Sequence, residues 1–279
     1  MLSVTLRPGA AGPPRRGGPY RFRPVRDDPG MIKKAAGGRP GTPAGPVVTY
    51  ALTALSCLVF LIGPASGFNR SYGTDASLIA AQTAYFERWG IVPADLWRGA
   101  PLEPLTPLTA LFVHGNWLHL LGNMLFLFVF GAMTEERMGR LHFAVFYVGT
   151  GYLALLGYAT AHADSTQALV GASGAISGVL GAFLCLFPTA RVTSLFPFLF
   201  FLPLRFPAWA VLIFWFVLQW LAAGTAAGSR PGVAYLAHLV GFTLGFLYAW
   251  VRYRRPARVK DAAPPSEGAR PPGDPDTSG

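Results

Sequence analysis

Six stretches of the chain are almost wholly apolar, and the polar residues cluster between them. The stretches run over residues 47–67, 111–133, 141–161, 168–187, 208–224 and 233–251. Each approaches the ~20 residues that a helix needs to cross ~30 Å of hydrocarbon. The pattern predicts an all-α membrane protein with six transmembrane helices. Residues 195–207 are also apolar, but Pro197, Pro203, Pro207 and Arg205 interrupt them. That segment reads as interfacial or re-entrant rather than spanning. A long loop, 68–110, joins the first two spans and carries Trp97, Arg98 and several prolines.

Charge sharpens this reading and orients it. The net charge is +10, yet charged residues make up only 13% of the chain. Residues 1–46 hold nine Lys/Arg against two acids, residues 47–251 eight against seven, and residues 252–279 six against four. Basic residues therefore sit in the two tails and not across a folded face, which argues against nucleic-acid binding. Lys/Arg-rich segments stay cytoplasmic, so both tails are expected there, together with the short loop holding Arg137 and Arg140. The second, fourth and sixth spans then run from outside to inside. Residues 1–46 are rich in Gly, Pro and Arg and are predicted to be disordered, as are residues 252–279. The first tail lacks the apolar run and cleavage site of a signal peptide. Met31 opens Met31-Ile32-Lys33-Lys34, so Met1 and Met31 both stand as starts. The two cysteines, Cys57 and Cys185, lie in apolar runs and form no disulfide scaffold.

Ionisable and polar groups inside spans are costly and call for a functional reading. No Asp, Glu or Lys falls within a span. What remains is His114, His119 and Asn123 on the second span, Ser173 and Ser177 on the fourth, and His238 on the sixth. Ser173 and His238 each lie about five residues into parallel spans, roughly 8 Å below the outer boundary at 1.5 Å per residue. His119 and Asn123 share one helix face at i, i+4, about 8 to 12 residues into theirs. Gly174, Gly178 and Gly181 line one face of the fourth span, and Gly241 and Gly245 share a face with His238. Small residues at such spacing let helix backbones approach closely.

Acyl transfer is the chemistry that fits. A serine hydroxyl needs an adjacent base to become a nucleophile, and His238 is the base available at that depth. No buried Asp is present to orient the ring, so a dyad is expected. His119, the Asn123 amide and the Ser173 N–H suit an oxyanion hole. Taken singly, these residues have blander readings. Ser and Gly in membrane helices usually serve packing, and a lone His or Asn usually bonds a neighbouring helix. Ser177 is expected to return its hydroxyl to a carbonyl one turn back. Position 175 is Ala, so the soluble Gly-x-Ser-x-Gly elbow is absent. The coincidence of depth favours the chemical reading.

At these residues the sequence resembles the rhomboid family of intramembrane serine proteases, over roughly residues 100–250. His114-Gly115-Asn116-Trp117-Leu118-His119-Leu120-Leu121-Gly122-Asn123 is similar to the family's His-x-x-x-x-His-x-x-x-Asn motif. Glu135-Glu136-Arg137-Met138-Gly139 resembles its Glu-x-Arg-x-Gly segment, with Glu135 in the structural position. Gly171-Ala172-Ser173-Gly174 resembles Gly-x-Ser-Gly, and Ala237-His238-Leu239-Val240-Gly241 resembles Ala-His-x-x-Gly.

The resemblance implies Ser173 as nucleophile, His238 as general base, and His119, Asn123 and the Ser173 N–H as oxyanion hole. It gives His114 a supporting role beside Gly171, Gly174 and Gly241. It also implies transmembrane protein substrates and a gate formed by the fifth span and the loop after it. Some members stack a Tyr, one turn after the nucleophile, on the catalytic His. Ser177 occupies that position here, so aromatic support would have to come from elsewhere. Trp97-Arg98 lies too far upstream to be equated with the family's Trp-Arg pair. No metal or organic cofactor is implied, and the His-Glu-x-x-His zinc motif is absent. The expected domains are a tail at 1–46, a six-helix core at 47–251 and a tail at 252–279. The expected location is a bacterial cytoplasmic membrane, from a compact core rich in Ala, Gly, Pro and Arg. Two rivals remain. One is an inactive rhomboid-like scaffold that binds membrane protein clients. The other is a small transporter or channel, which would predict buried charges or repeated broken helices.

Overall fold

The computed structural model describes residues 2–5, 45–99, 103–196, 202–225 and 234–253. The expectations for 6–44 and 254–279 lie outside the described residues. Helices dominate: α1 (Val47–Ile62), α2 (Asp75–Trp89), α3 (Pro93–Arg98), α4 (Thr106–Ala110), α5 (Trp117–Met138), α6 (Arg140–Ala161), α7 (Ser173–Leu186), α8 (Ala208–Thr225) and α9 (Tyr235–Tyr253). One turn of α5, Leu127–Gly131, is π-helical. Helices α5 and α6 have 22 residues each, about 33 Å at 1.5 Å per residue. Length and hydropathy let these two cross a membrane, whereas the apolar helices α1 and α7 are shorter, with 16 and 14 residues.

Helix α7 sits at the centre. Every residue from Gly174 to Phe183 is buried. Its glycine face meets α9 backbone to backbone. A Cβ on Gly245 would collide with the Gly178 carbonyl, and one on Gly241 with the Gly174 carbonyl. Close approach follows from the absence of side chains on both faces. At the opposite end of the molecule from the Ser173 terminus, the buried Glu135 carboxylate accepts bonds from Val48 N (3.0 Å), Thr49 N (2.7 Å) and Thr49 Oγ1 (2.8 Å). It satisfies donors left free at the α1 terminus, where negative charge also suits the helix dipole. Outward-facing positions carry large apolar side chains, among them Leu118, Leu141, Val145, Phe214 and Val251.

Four expectations need correction. One of them lies within an otherwise mostly helical protein. Arg191–Phe196 (β2) and Leu202–Pro207 (β3) form an antiparallel hairpin, with Arg191 opposite Pro207 and Phe196 opposite Leu202. The described parts of 195–207 are therefore strand rather than re-entrant backbone. The sheet order is β1-β2-β3, so β3 is an edge strand, which is where prolines are tolerated. The third strand, β1 (Leu2–Thr5), pairs with β2, so the first tail is not structureless throughout. The 68–110 loop holds three helices, α2 opening on a capping box between Thr74 and Ser77. Finally, the fourth span begins later than its hydropathy indicates. Residues 168–172 are non-helical, and Ile91 and Leu169 exchange backbone bonds of 2.9 and 2.8 Å. Gly171, at φ +128°, keeps this approach out of the helix.

Candidate active site

Three helices begin on the same side of the bundle and bring their first turns together. Ser173 is the first residue of α7, His119 the third of α5 and His238 the fourth of α9. The sequence placed these groups deeper along their helices, counting the non-helical residues 111–116 and 168–172 as helix. Their convergence instead reflects shared helix starts, where unpaired backbone N–H groups favour negative charge.

Ser173 Oγ lies 2.8 Å from His238 Nε2. On the far side of the ring, His238 Nδ1 lies 2.7 Å from Gln219 Oε1 on α8. A carbonyl oxygen can only accept, so Nδ1 carries the proton and Nε2 is free to accept from the serine hydroxyl. Ser177 Oγ donates to Ser173 O at 2.6 Å, the backbone return expected of it. The ring beside His238 is supplied by Trp215, with centroids 6.0 Å apart and planes tilted by 32°. Tyr235 meets the ring edge-on at 6.4 Å.

Asn116 caps α5 by accepting from His119 N at 2.8 Å. The His119 ring and the Asn123 amide border Gly171, two residues before Ser173. A Cβ built on Gly171 would lie 2.7 Å from His119 Nε2 and 3.8 Å from Asn123 Nδ2. Asn123 Nδ2 is buried without a hydrogen-bond partner, as is His114 Nε2. His114 packs edge-on against His119 at 5.2 Å, and its Nδ1 lies 3.2 Å from Phe112 O. With Nδ1 donating to the Phe112 carbonyl, His114 Nε2 is an acceptor, so the unpartnered donor beside Gly171 is the Asn123 amide, and such buried donors are rare in proteins. Among the described residues no group of three His, Cys, Asp or Glu is placed to hold a metal ion.

Gln219 and Trp215 escaped the sequence reading. Both lie on the fifth apolar span, which holds no His, Ser, Asn or charged residue to mark it as part of a site. The signal was present, since Gln219 is the lone polar side chain in residues 208–224. Trp97, by contrast, is no part of the site. Its Nε1 donates to Ala159 O at 3.2 Å and ties α3 to the end of α6.

A serine and a histidine from two apolar helices thus meet beside a histidine and an amide from a third, in a mostly helical protein. A family profile described as Rhomboid domain matches residues 96–255, and the chain belongs to the rhomboid family. It is similar to Rhomboid protein 1, mitochondrial, of Saccharomyces cerevisiae, 37% identical over 145 residues, covering 50% of this chain and 39% of the yeast protein. RHOMBOID-like protein 1 of Arabidopsis thaliana is 32% identical over 148 residues, covering 53% and 34%. YdcA of Bacillus subtilis is 32% identical over 96 residues, covering 34% and 43%. The chain thus spans well under half the length of these curated relatives. They come from fungal, plant and bacterial sources, so family membership implies a membrane protein without selecting a bacterial one.

Proposed function

We propose that this chain is an intramembrane serine endopeptidase that cleaves transmembrane or juxtamembrane segments of membrane proteins. The observation that carries the reading is the 2.8 Å contact between Ser173 Oγ and His238 Nε2, made across two helices with the unpaired Asn123 amide alongside. His238 Nε2 takes the Ser173 proton while Oγ bonds to the scissile carbonyl carbon. The carbonyl π pair moves onto oxygen, where His119, the Asn123 amide and the Ser173 N–H stabilise it. Collapse of this intermediate expels the amine, which receives the proton from Nε2. Water repeats the sequence to release the acid and restore the serine. A substrate helix must unwind locally first, because an intact helix hides its carbonyls.

Helices α1, α5, α6, α7, α8 and α9 form the six spans of the 47–251 core, α9 running on to Tyr253. The tails at 1–46 and 252–279 are cytoplasmic. The exposed apolar positions on α5, α6, α8 and α9 support a lipid-facing surface. The bacterial inner membrane remains the proposed location, and transmembrane proteins the proposed substrates. The mechanism uses no cofactor.

The test is a fluorophosphonate serine probe, combined with a single-span reporter substrate, on the full chain in liposomes. Covalent labelling at Ser173 together with cleavage is expected. A chain that captures the reporter but neither labels nor cleaves would be a scaffold, and the proposal would fail. Gly171→Ala should strike the same chemistry from a different side. Its Cβ meets the His119 ring, and φ +128° disfavours any side chain. Turnover is expected to fall about 100-fold, the usual cost of losing one oxyanion donor. Steady-state kinetics on the reporter reads this directly.

A further inference from the structure

Every element of the proposed mechanism lies on α5, α7 or α9, yet the catalytic ring is held from α8. Gln219 is the lone polar side chain of the fifth apolar stretch, and its Oε1 meets His238 Nδ1 at 2.7 Å. Trp215 lies one turn earlier on the same face of α8 and flanks the same ring. A glutamine in an apolar helix is costly unless its amide is bonded. Here its carbonyl is spent on one nitrogen of one residue.

We propose that Gln219 is the positioning residue for His238, taking the place that a carboxylate holds in a Ser-His-Asp triad, so that the machinery is a Ser173–His238–Gln219 relay of orientation. The proposal rests on the endopeptidase reading above. An imidazole can carry its proton on either nitrogen, and only the Nδ1–H form leaves Nε2 able to accept from Ser173. Gln219 Oε1 selects that form and sets the plane of the ring. When Nε2 gains the serine proton, Nδ1–H becomes a donor on a cation, and its bond to Oε1 strengthens. The proton on Nδ1 does not leave the ring at any step. The benefit is therefore larger in the transition state than in the ground state, and belongs in kcat rather than KM.

One consequence concerns α8 as a whole. The helix carries neither nucleophile nor base, and many of its large side chains are exposed, among them Trp209, Phe214 and Trp220. Any displacement of α8 that withdraws Gln219 releases the ring of His238. Alignment of the base is thus tied to the seating of a helix that holds no other part of the site except Trp215.

The experiment measures kcat, KM and thermal melting of the full chain in liposomes with a single-span reporter. It compares the wild type with Gln219→Leu, Gln219→Met and Gln219→Glu. Leu and Met remove the acceptor, whereas Glu keeps an oxygen in reach. Both apolar variants are expected to lose about 10- to 100-fold in kcat, less than the ~10⁴ lost when a triad carboxylate is removed. Their KM should stay within about twofold and their melting unchanged. Gln219→Glu is expected to recover most of the lost kcat, and the rate of fluorophosphonate labelling at Ser173 should follow the same order. The proposal is overturned if Leu and Met keep wild-type kcat. It is also overturned if their losses appear only with lowered melting, or if Glu fails to restore turnover. An unreactive Ser173 in the wild type would instead sink the endopeptidase reading on which it rests.

Discussion

Ser173→Ala is expected to reduce cleavage of a single-span reporter by at least about 10⁴-fold and to abolish fluorophosphonate labelling, with melting unchanged. Removing the nucleophile of a serine protease costs up to about 10⁶ in turnover, and its partners act as one unit with it. That cooperativity makes the sharper version of the test. His238→Ala should lose nearly as much as Ser173→Ala, because an unassisted hydroxyl at neutral pH is a poor nucleophile. The double variant should then fall within about threefold of either single one, since the second loss removes nothing still in use. Additive losses would mean that the 2.8 Å contact between Ser173 and His238 is packing, and that cleavage arises elsewhere.

The second large effect is on stability. Gly245→Val is expected to destabilise the bundle by about 3 kcal/mol or more, beyond the 1–3 kcal/mol typical of overpacking. A side chain at 245 meets the Gly178 carbonyl and Cα of α7, and backbone cannot turn aside as a rotamer can. Relief would require α9 to move away from α7, carrying His238 with it. Thermal melting in detergent and labelling of Ser173 should therefore fall together. Gly149→Ala is the control, because a Cβ there has nothing within 4 Å. It should leave melting unchanged or raise it slightly through helix propensity, which favours Ala by about 1 kcal/mol. Equal melting for Gly245→Val and the wild type would show that the α7–α9 interlock is wrong.

The parts of this protein that were readable in its sequence are those set by periodicity and by chemical scarcity. Gly174, Gly178, Gly241 and Gly245 repeat at helical spacing, so a close α7–α9 seam could be named before it was seen. Few residues in the apolar stretches can do acid–base work, which is why Ser173 and His238 stood out and why their contact was expected. Glu135 was placed as structural, and its three bonds to α1 suit that role. Other features were hidden because hydropathy does not report backbone conformation. Residues 168–172 are apolar enough to extend a span, but Gly171 at φ +128° and the Ile91–Leu169 pairing keep them out of the helix. The β2–β3 hairpin lay in a stretch whose prolines argued against a membrane span without naming a strand, and its edge position is what accommodates them.

The sequence by itself determined the order of the six apolar segments, the small-residue seam and the short roster of groups able to carry out hydrolysis. Each of these follows from local spacing or from which side chains are present at all. Only the tertiary structure decided that Gln219 and Trp215 face the ring of His238, and that three helix starts meet at one place. Which residue of one helix opposes which residue of another depends on crossing geometry and on where each helix begins. Those are properties of the packed assembly, and no single segment of the chain encodes them.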